Sequence, residues 1–138
     1  MAWDVDLNTL AVTMHQGDTG AYWVDLFPED ADGNPLDDWE FEEGDVAIYE
    51  VWKDQQTRMV HKEFPLQPAE PTDICPGNGS FLIAFLNSDT DTWSPGTYNT
   101  EIRVSLNPIR SNGAVVDGDT VRTAVQSTIQ INPVWIKI

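Results

Sequence analysis

Ser94-Pro95-Gly96-Thr97-Tyr98-Asn99-Thr100-Glu101-Ile102-Arg103-Val104-Ser105-Leu106 decides the fold class of this chain. After the Ser-Pro-Gly turn, Tyr98, Thr100, Ile102, Val104 and Leu106 alternate with Asn99, Glu101, Arg103 and Ser105. A period of two sends one set to the buried face of a sheet and the other toward water. Val121, Thr123, Val125, Ser127, Ile129 and Ile131 alternate in the same way with Arg122, Ala124, Gln126, Thr128 and Gln130.

Outward from these two segments the chain is punctuated by turn residues: Gly17-Asp18-Thr19, Asp32-Gly33-Asn34-Pro35, Gly77-Asn78-Gly79, Asn112-Gly113 and Asp117-Gly118-Asp119. Short apolar runs lie between them, at residues 10–14, 21–27, 46–53, 59–64 and 80–86, and predict five more strands. Within 21–27, Tyr22, Val24 and Leu26 share one face and Trp23 and Phe27 the other, so this strand is expected to be covered on both sides or to lie at an interface. The run 80–86 is apolar except for Ser80, the pattern of a buried central strand. Ile48, Val51, Trp52, Met59 and Val60 also fit a helical period. Their β-branched and aromatic neighbours favour two strands joined at Asp54-Gln55-Gln56-Thr57. Four prolines exclude regular structure from 65–79. Residues 88–93 read as a helical turn or tight loop that packs Trp93 inward, and the apolar tail 133–138 as an edge strand or a cover for a neighbour. The expectation is one domain over residues 1–138, an antiparallel two-sheet immunoglobulin-like β-sandwich of about seven strands. The cysteine–tryptophan–cysteine core of antibody domains is absent.

With 138 residues, 41% apolar content and six tryptophans, the chain has the makings of a packed core. A net charge of −16, with no lysine or arginine before Lys53, disfavours nucleic acid and anionic membranes as partners. Met1-Ala2-Trp3-Asp4-Val5-Asp6 has neither the cationic start nor the apolar stretch of an export signal. The one cysteine, Cys75, forms no internal disulfide and suits a reducing compartment.

Candidate chemistry is sparse. There is no Gly-x-Ser-x-Gly elbow, and His15 and His61 are the two histidines. A Cys75/His61 pair is a nucleophile–base combination to weigh, against the commoner reading of a thiol in a proline-rich loop as a partly buried bystander. Asp30-Ala31-Asp32-Gly33-Asn34 begins like a calcium loop, but Pro35 and Phe41 stand where that loop needs glycine and glutamate. Asp37, Asp38, Glu40, Glu42, Glu43 and Asp45 could build an irregular hard-cation site, but like Asp89 and Asp91 they read more readily as solvated turn residues. No catalytic, cofactor-binding or metal-ligating residues are assigned, and no cofactor is expected. Trp39, Trp52 and Trp135 stand where exposure is plausible, which makes a carbohydrate-binding sandwich module, with a glycan as partner, the alternative reading.

The order of these pieces resembles the N-terminal domain family of phage baseplate upper proteins. Gly17-Asp18-Thr19, an apolar strand and Asp32-Gly33-Asn34-Pro35-Leu36-Asp37 are similar to that family's opening. The strand pair in 46–64, the glycine-led strand 79–86, Asp89-Thr90 through Gly96-Thr97-Tyr98 and the long strand 120–131 follow in the same order. The resemblance implies an immunoglobulin-like sandwich with no catalytic residues. Its implied role is that of a non-enzymatic structural protein of a tailed phage or prophage, acting in tail or baseplate assembly through contacts with other virion proteins. Homo-oligomers fit that role, as does a location in the virion after assembly in the host cytoplasm. Family members continue into helical or receptor-linking regions; this sequence stops soon after its last strand, as a free-standing accessory subunit is expected to.

Overall fold

The computed structural model describes residues 3–6, 11–15, 19–26, 32, 34, 40–90, 92–106, 109–111, 114–117 and 120–132. It is all-β, with ten strands and one helical turn among these residues: β1 (Trp3–Asp6), β2 (Ala11–His15), β3 (Gly20–Asp25), β4 (Val46–Trp52), β5 (Arg58–Pro65), β6 (Ser80–Phe85), α1 (Asn87–Thr90), β7 (Gly96–Leu106), β8 (Ile109–Ser111), β9 (Ala114–Asp117) and β10 (Thr120–Asn132). The seven strands expected from the sequence are β2 to β7 and β10. The short β1, β8 and β9 join them; four residues or fewer are too short a run for alternation to show.

The main sheet has the order β1-β2-β10-β7-β4-β5, β3 pairs with β6 in a second sheet, and β8 with β9 in a hairpin. Every pairing is antiparallel except β2 with β10, which run parallel from Val12↔Ile129 to His15↔Asn132. Parallel neighbours need a long crossover, and here nearly the whole chain supplies it.

The core lies between the main sheet and β3–β6. Val12 and Met14 (β2), Tyr49 and Val51 (β4), Phe64 (β5), Tyr98 and Ile102 (β7), and Ile129 and Ile131 (β10) meet Tyr22, Val24, Phe81, Ile83 and Phe85 from the small sheet. Phe64 stacks on Phe81 with ring centroids 4.8 Å apart, and Phe85 meets Trp93 edge-on. Trp93 is buried behind α1, and Tyr98 Oη donates a 2.8 Å hydrogen bond to the carbonyl oxygen of Ser94, which fixes the corner before β7.

The segment after β5 is irregular, as its prolines require, yet it feeds Leu66 and Cys75 into the core. It is held by Gly79 N–H donating to Leu66 O and Leu26 N–H to Gly79 O. Gly77, Asn78 and Gly79 all have positive φ, and a Cβ at Gly79 would lie 2.7 Å from the Phe41 ring and 3.0 Å from Leu26 O. That turn therefore requires glycine at its last position.

Two expectations are corrected. β6 is not a buried central strand: Phe81, Ile83 and Phe85 are buried, while Leu82 and Ala84 are half-buried on the opposite side of a two-stranded sheet. β3 is covered on one face only, with Trp23 48% exposed, so of its two alternatives coverage on both sides is overturned and a place at an interface is left. Phe27 and the tail 133–138 lie outside the described residues. The strand buried on both faces is β4, from Val46 to Val51. No helix among the described residues is long and apolar enough to cross a membrane.

Candidate functional site

Three arrangements on the surface of the sandwich carry the chemistry available to it. The first lies on the outer face of the main sheet, where β4 turns Glu50 away from the core between His61 of β5 and Glu101 of β7. Glu50 is 5% exposed. Its Oε2 accepts from Arg58 Nη1 at 2.9 Å and lies 3.0 Å from His61 Nδ1, and its Oε1 accepts from Arg103 Nη2 at 2.9 Å. His61 Nε2 is 3.2 Å from Glu63 Oε2, so both imidazole contacts are hydrogen bonds when each nitrogen carries a proton. Burial alone would raise the Glu50 carboxyl, but His61, Arg58 and Arg103 outweigh it and hold the group below the usual carboxylate range.

This network is a structural clamp across three strands. Glu50→Ala is expected to cost about 1–3 kcal/mol in urea unfolding at neutral pH, less than for a fully buried pair, because water reaches the orphaned arginines. A lowered carboxyl favours the native state above pH 4.5 and loses that contribution as pH falls through its folded value. The acid limb of the stability profile is therefore expected to flatten in Glu50→Gln.

The second arrangement is an open cleft of about 470 Å³ beside this clamp. Its floor is the outer face of β7 and β10, where Asn99 pairs in register with Trp52, and Glu101 with Gln126. Its wall is Trp52 with Asp54 and Gln55 of the β4–β5 turn. That turn is held by Asp54, whose Oδ1 accepts from Gln56 N–H and Thr57 N–H at 2.8 Å and whose Oδ2 accepts from Thr57 Oγ1 at 3.2 Å. The backbone bond from Gln56, foremost among these contacts, keeps the Asp54 carboxyl below its ordinary value.

The third is the outer face of the small sheet. Trp23 stands opposite Leu82 in the β3–β6 register, and Ala21 opposite Ala84. Leu86, 65% exposed, continues the face beyond β6, and Ile74, 49% exposed, adjoins it through its carbonyl, which accepts from Leu82 N–H at 2.9 Å. Apolar side chains on the outer surface of a two-stranded sheet form a patch, in contrast to the polar outer face of β7.

The residues weighed from the sequence are distributed differently. Cys75 is buried in the core, where burial raises its thiol above the ordinary value. His61 faces Glu50 and Glu63 on the far side of the main sheet, so the two are not brought together. Asp45 is buried as a turn residue: its Oδ2 accepts from Glu42 N–H and its carbonyl from Leu66 N–H. Asp89 closes the turn after β6 by accepting from Leu86 N–H. Among the described residues no three acidic, histidine or cysteine side chains form a metal-binding group. Asp30, Asp37, Asp38, Asp91, Trp39 and Trp135 lie outside the described residues, and so does the side chain of His15. Trp52 is half-buried on the cleft. Trp23 lies on the second apolar face of 21–27, the strand whose two apolar faces point from the sequence to a covered face or an interface. The Glu50 clamp was missed by sequence reasoning; its signal was one acidic residue inside an otherwise apolar strand.

No protein-family model, curated protein or solved structure matches this chain.

Proposed function

We propose that this protein is a non-enzymatic structural subunit of a tailed phage or prophage virion, working in tail or baseplate assembly through protein–protein contacts. The observation that carries the proposal is the apolar outer face of the small sheet, where Trp23 pairs with Leu82 and the exposed Leu86 follows, with the exposed Ile74 bonded to Leu82 through its carbonyl. Exposed apolar side chains gathered on one sheet face are characteristic of association surfaces, and tryptophan is a preferred anchor in them. The strongly acidic remainder of the surface confines association to that face and favours a partner with a basic rim.

We further read the sandwich as immunoglobulin-like. Counting the seven expected strands in chain order, the seventh, sixth and third lie side by side with the fourth beyond them, and the second pairs with the fifth. These neighbours resemble part of the variable-type immunoglobulin order, although the first expected strand, β2, lies in the larger sheet beside β10 rather than beside β3. The Tyr98–Ser94 hydrogen bond supports the same reading, since a tyrosine at this corner bonding back to upstream backbone is a hallmark of such domains. The motif order that resembles the baseplate upper protein family agrees with it.

Mass spectrometry of gradient-purified particles from the host carrying the encoding phage tests the role. The chain is expected in the particles, and Trp23→Asp introduced into the phage genome is expected to cut its incorporation by at least about tenfold, as loss of an interface anchor does. Absence of the wild-type chain from purified particles would overturn the proposal.

A further inference from the structure

The cleft at Trp52 has a chemistry that the assembly role does not use. Its walls combine one indole, the amides of Asn99, Gln55 and Gln126, and two carboxylates, with no lysine or arginine among the lining residues. We propose that this cleft binds a sugar unit of a neutral glycan, with Trp52 against the C–H face of the ring and Asn99 and Gln126 on its hydroxyls.

Each part of the cleft selects for that ligand. A sugar hydroxyl both donates and accepts, and so does a carboxamide, whose N–H₂ and C=O can meet two neighbouring hydroxyls at once. Asn99 and Gln126 project from adjacent antiparallel strands of one sheet face, within the frame set by the Trp52↔Asn99 and Gln126↔Glu101 pairs. An indole gives a flat apolar surface with little conformational entropy to lose. A volume of about 470 Å³ falls within the range of small-ligand pockets and accommodates one or two rings.

The two carboxylates exclude anionic ligands, and their existing partners leave them poorly placed to serve a cation. Asp54 is committed to its own turn through three hydrogen bonds, and Glu101 Oε1 lies 3.4 Å from Arg103 Nε. Arg103 is itself anchored by Glu50. The Glu50 clamp thus holds the floor of the cleft and the Asp54 turn holds its wall, so little ordering remains to be done when a ligand arrives.

The test is a ¹H–¹⁵N NMR titration of the full chain with cellobiose, maltose, lactose and N,N′-diacetylchitobiose. The readouts are the Trp52 indole resonance and the side-chain amides of Asn99 and Gln126. At least one disaccharide is expected to move all three saturably. Trp52→Ala and Gln126→Ala are each expected to weaken that binding by at least about tenfold. Gln126 is exposed, so its variant tests the site even if Trp52→Ala disturbs the fold. Glu70→Ala, a charge removal on an exposed loop elsewhere, is expected to leave the titration unchanged. A uronic-acid disaccharide is expected to bind more weakly than its neutral counterpart. The proposal is overturned if no neutral disaccharide moves these resonances up to about 20 mM, far into the weak-binding regime. It is equally overturned if choline moves them and the sugars do not.

Discussion

Phe81→Ala is expected to lower the unfolding free energy by about 3–5 kcal/mol, a large share of the roughly 5–15 kcal/mol that holds a domain of this size. Phe81 is fully buried, stacks on Phe64 of the main sheet and sits opposite Val24 on β3. A two-stranded sheet is at best marginally stable on its own, so β3 and β6 depend on the inner-face contacts that Phe81, Ile83 and Phe85 make. Urea unfolding should report the loss. Hydrogen exchange should show it concentrated in the amides of β3 and β6, with β7 and β10 less affected. Uniform loss of protection across both sheets would mean that the small sheet is not a separately vulnerable layer.

The dependence of the small sheet on its partner also explains what the sequence could and could not convey. The alternation was legible where one face is in the core and the other toward water, from Tyr98 to Ile102 in β7 and from Gln126 to Ile131 in β10; at the end of β7 it breaks, since Ser105 is fully buried while Val104 and Leu106 are half-buried. β6 misled because its outer positions, Leu82 and Ala84, are apolar without being fully buried. Apolarity measures the preference of a residue, and a patch that another protein would cover reads the same as core. β4 was legible as a strand but its surroundings were not: Glu50 is an acidic residue in a strand buried on both faces, and Arg58 and His61 of β5 with Arg103 of β7 make that tolerable. Those neighbours are set by register, which no local pattern encodes. The cleft was half visible, since Trp52 was singled out as a candidate ring. Its companions Asn99 and Gln126 read only as the polar positions of two alternating strands until β7 and β10 were side by side.

Alkaline pH is expected to produce the second large effect. The chain has three tyrosines, and all three are raised by burial. Burial pushes the Tyr22 phenol up to about 12, although the Tyr49 hydroxyl pulls slightly the other way. Tyr49 is held well above its ordinary value by burial and by Tyr22 itself. Raised acids favour the native state below pH 10 and lose that contribution as pH climbs through the folded value. At about 1.4 kcal/mol for each pH step, Tyr22 alone removes about 3 kcal/mol between pH 10 and pH 12. Tyrosinate absorbance and the loss of β-sheet circular dichroism are therefore expected to rise together in a single transition. Tyr22→Phe should move that transition to higher pH. Tyr49→Phe should do the same and also be neutral or stabilising at pH 7, because the Tyr49 hydroxyl is buried without a well-formed hydrogen bond. Ionisation of all three tyrosines near pH 10 in a chain that stays folded would contradict this account.

The parallel pairing of β2 with β10 has a consequence for how the protein comes into being. β10 is the neighbour of both β2 and β7, so the middle of the main sheet is synthesised after the strands on either side of it. At ribosomal speeds of about 5–20 residues per second, β2 waits on the order of ten seconds for the strand that will flank it. Throughout that interval the nascent chain holds strands whose backbone is not yet satisfied, the condition under which neighbouring polypeptides pair edge to edge. All the charged side chains made before Lys53 are acidic. The surplus of carboxylates thus acts earliest on the growing chains of a crowded polysome, which repel one another until the closing strand arrives.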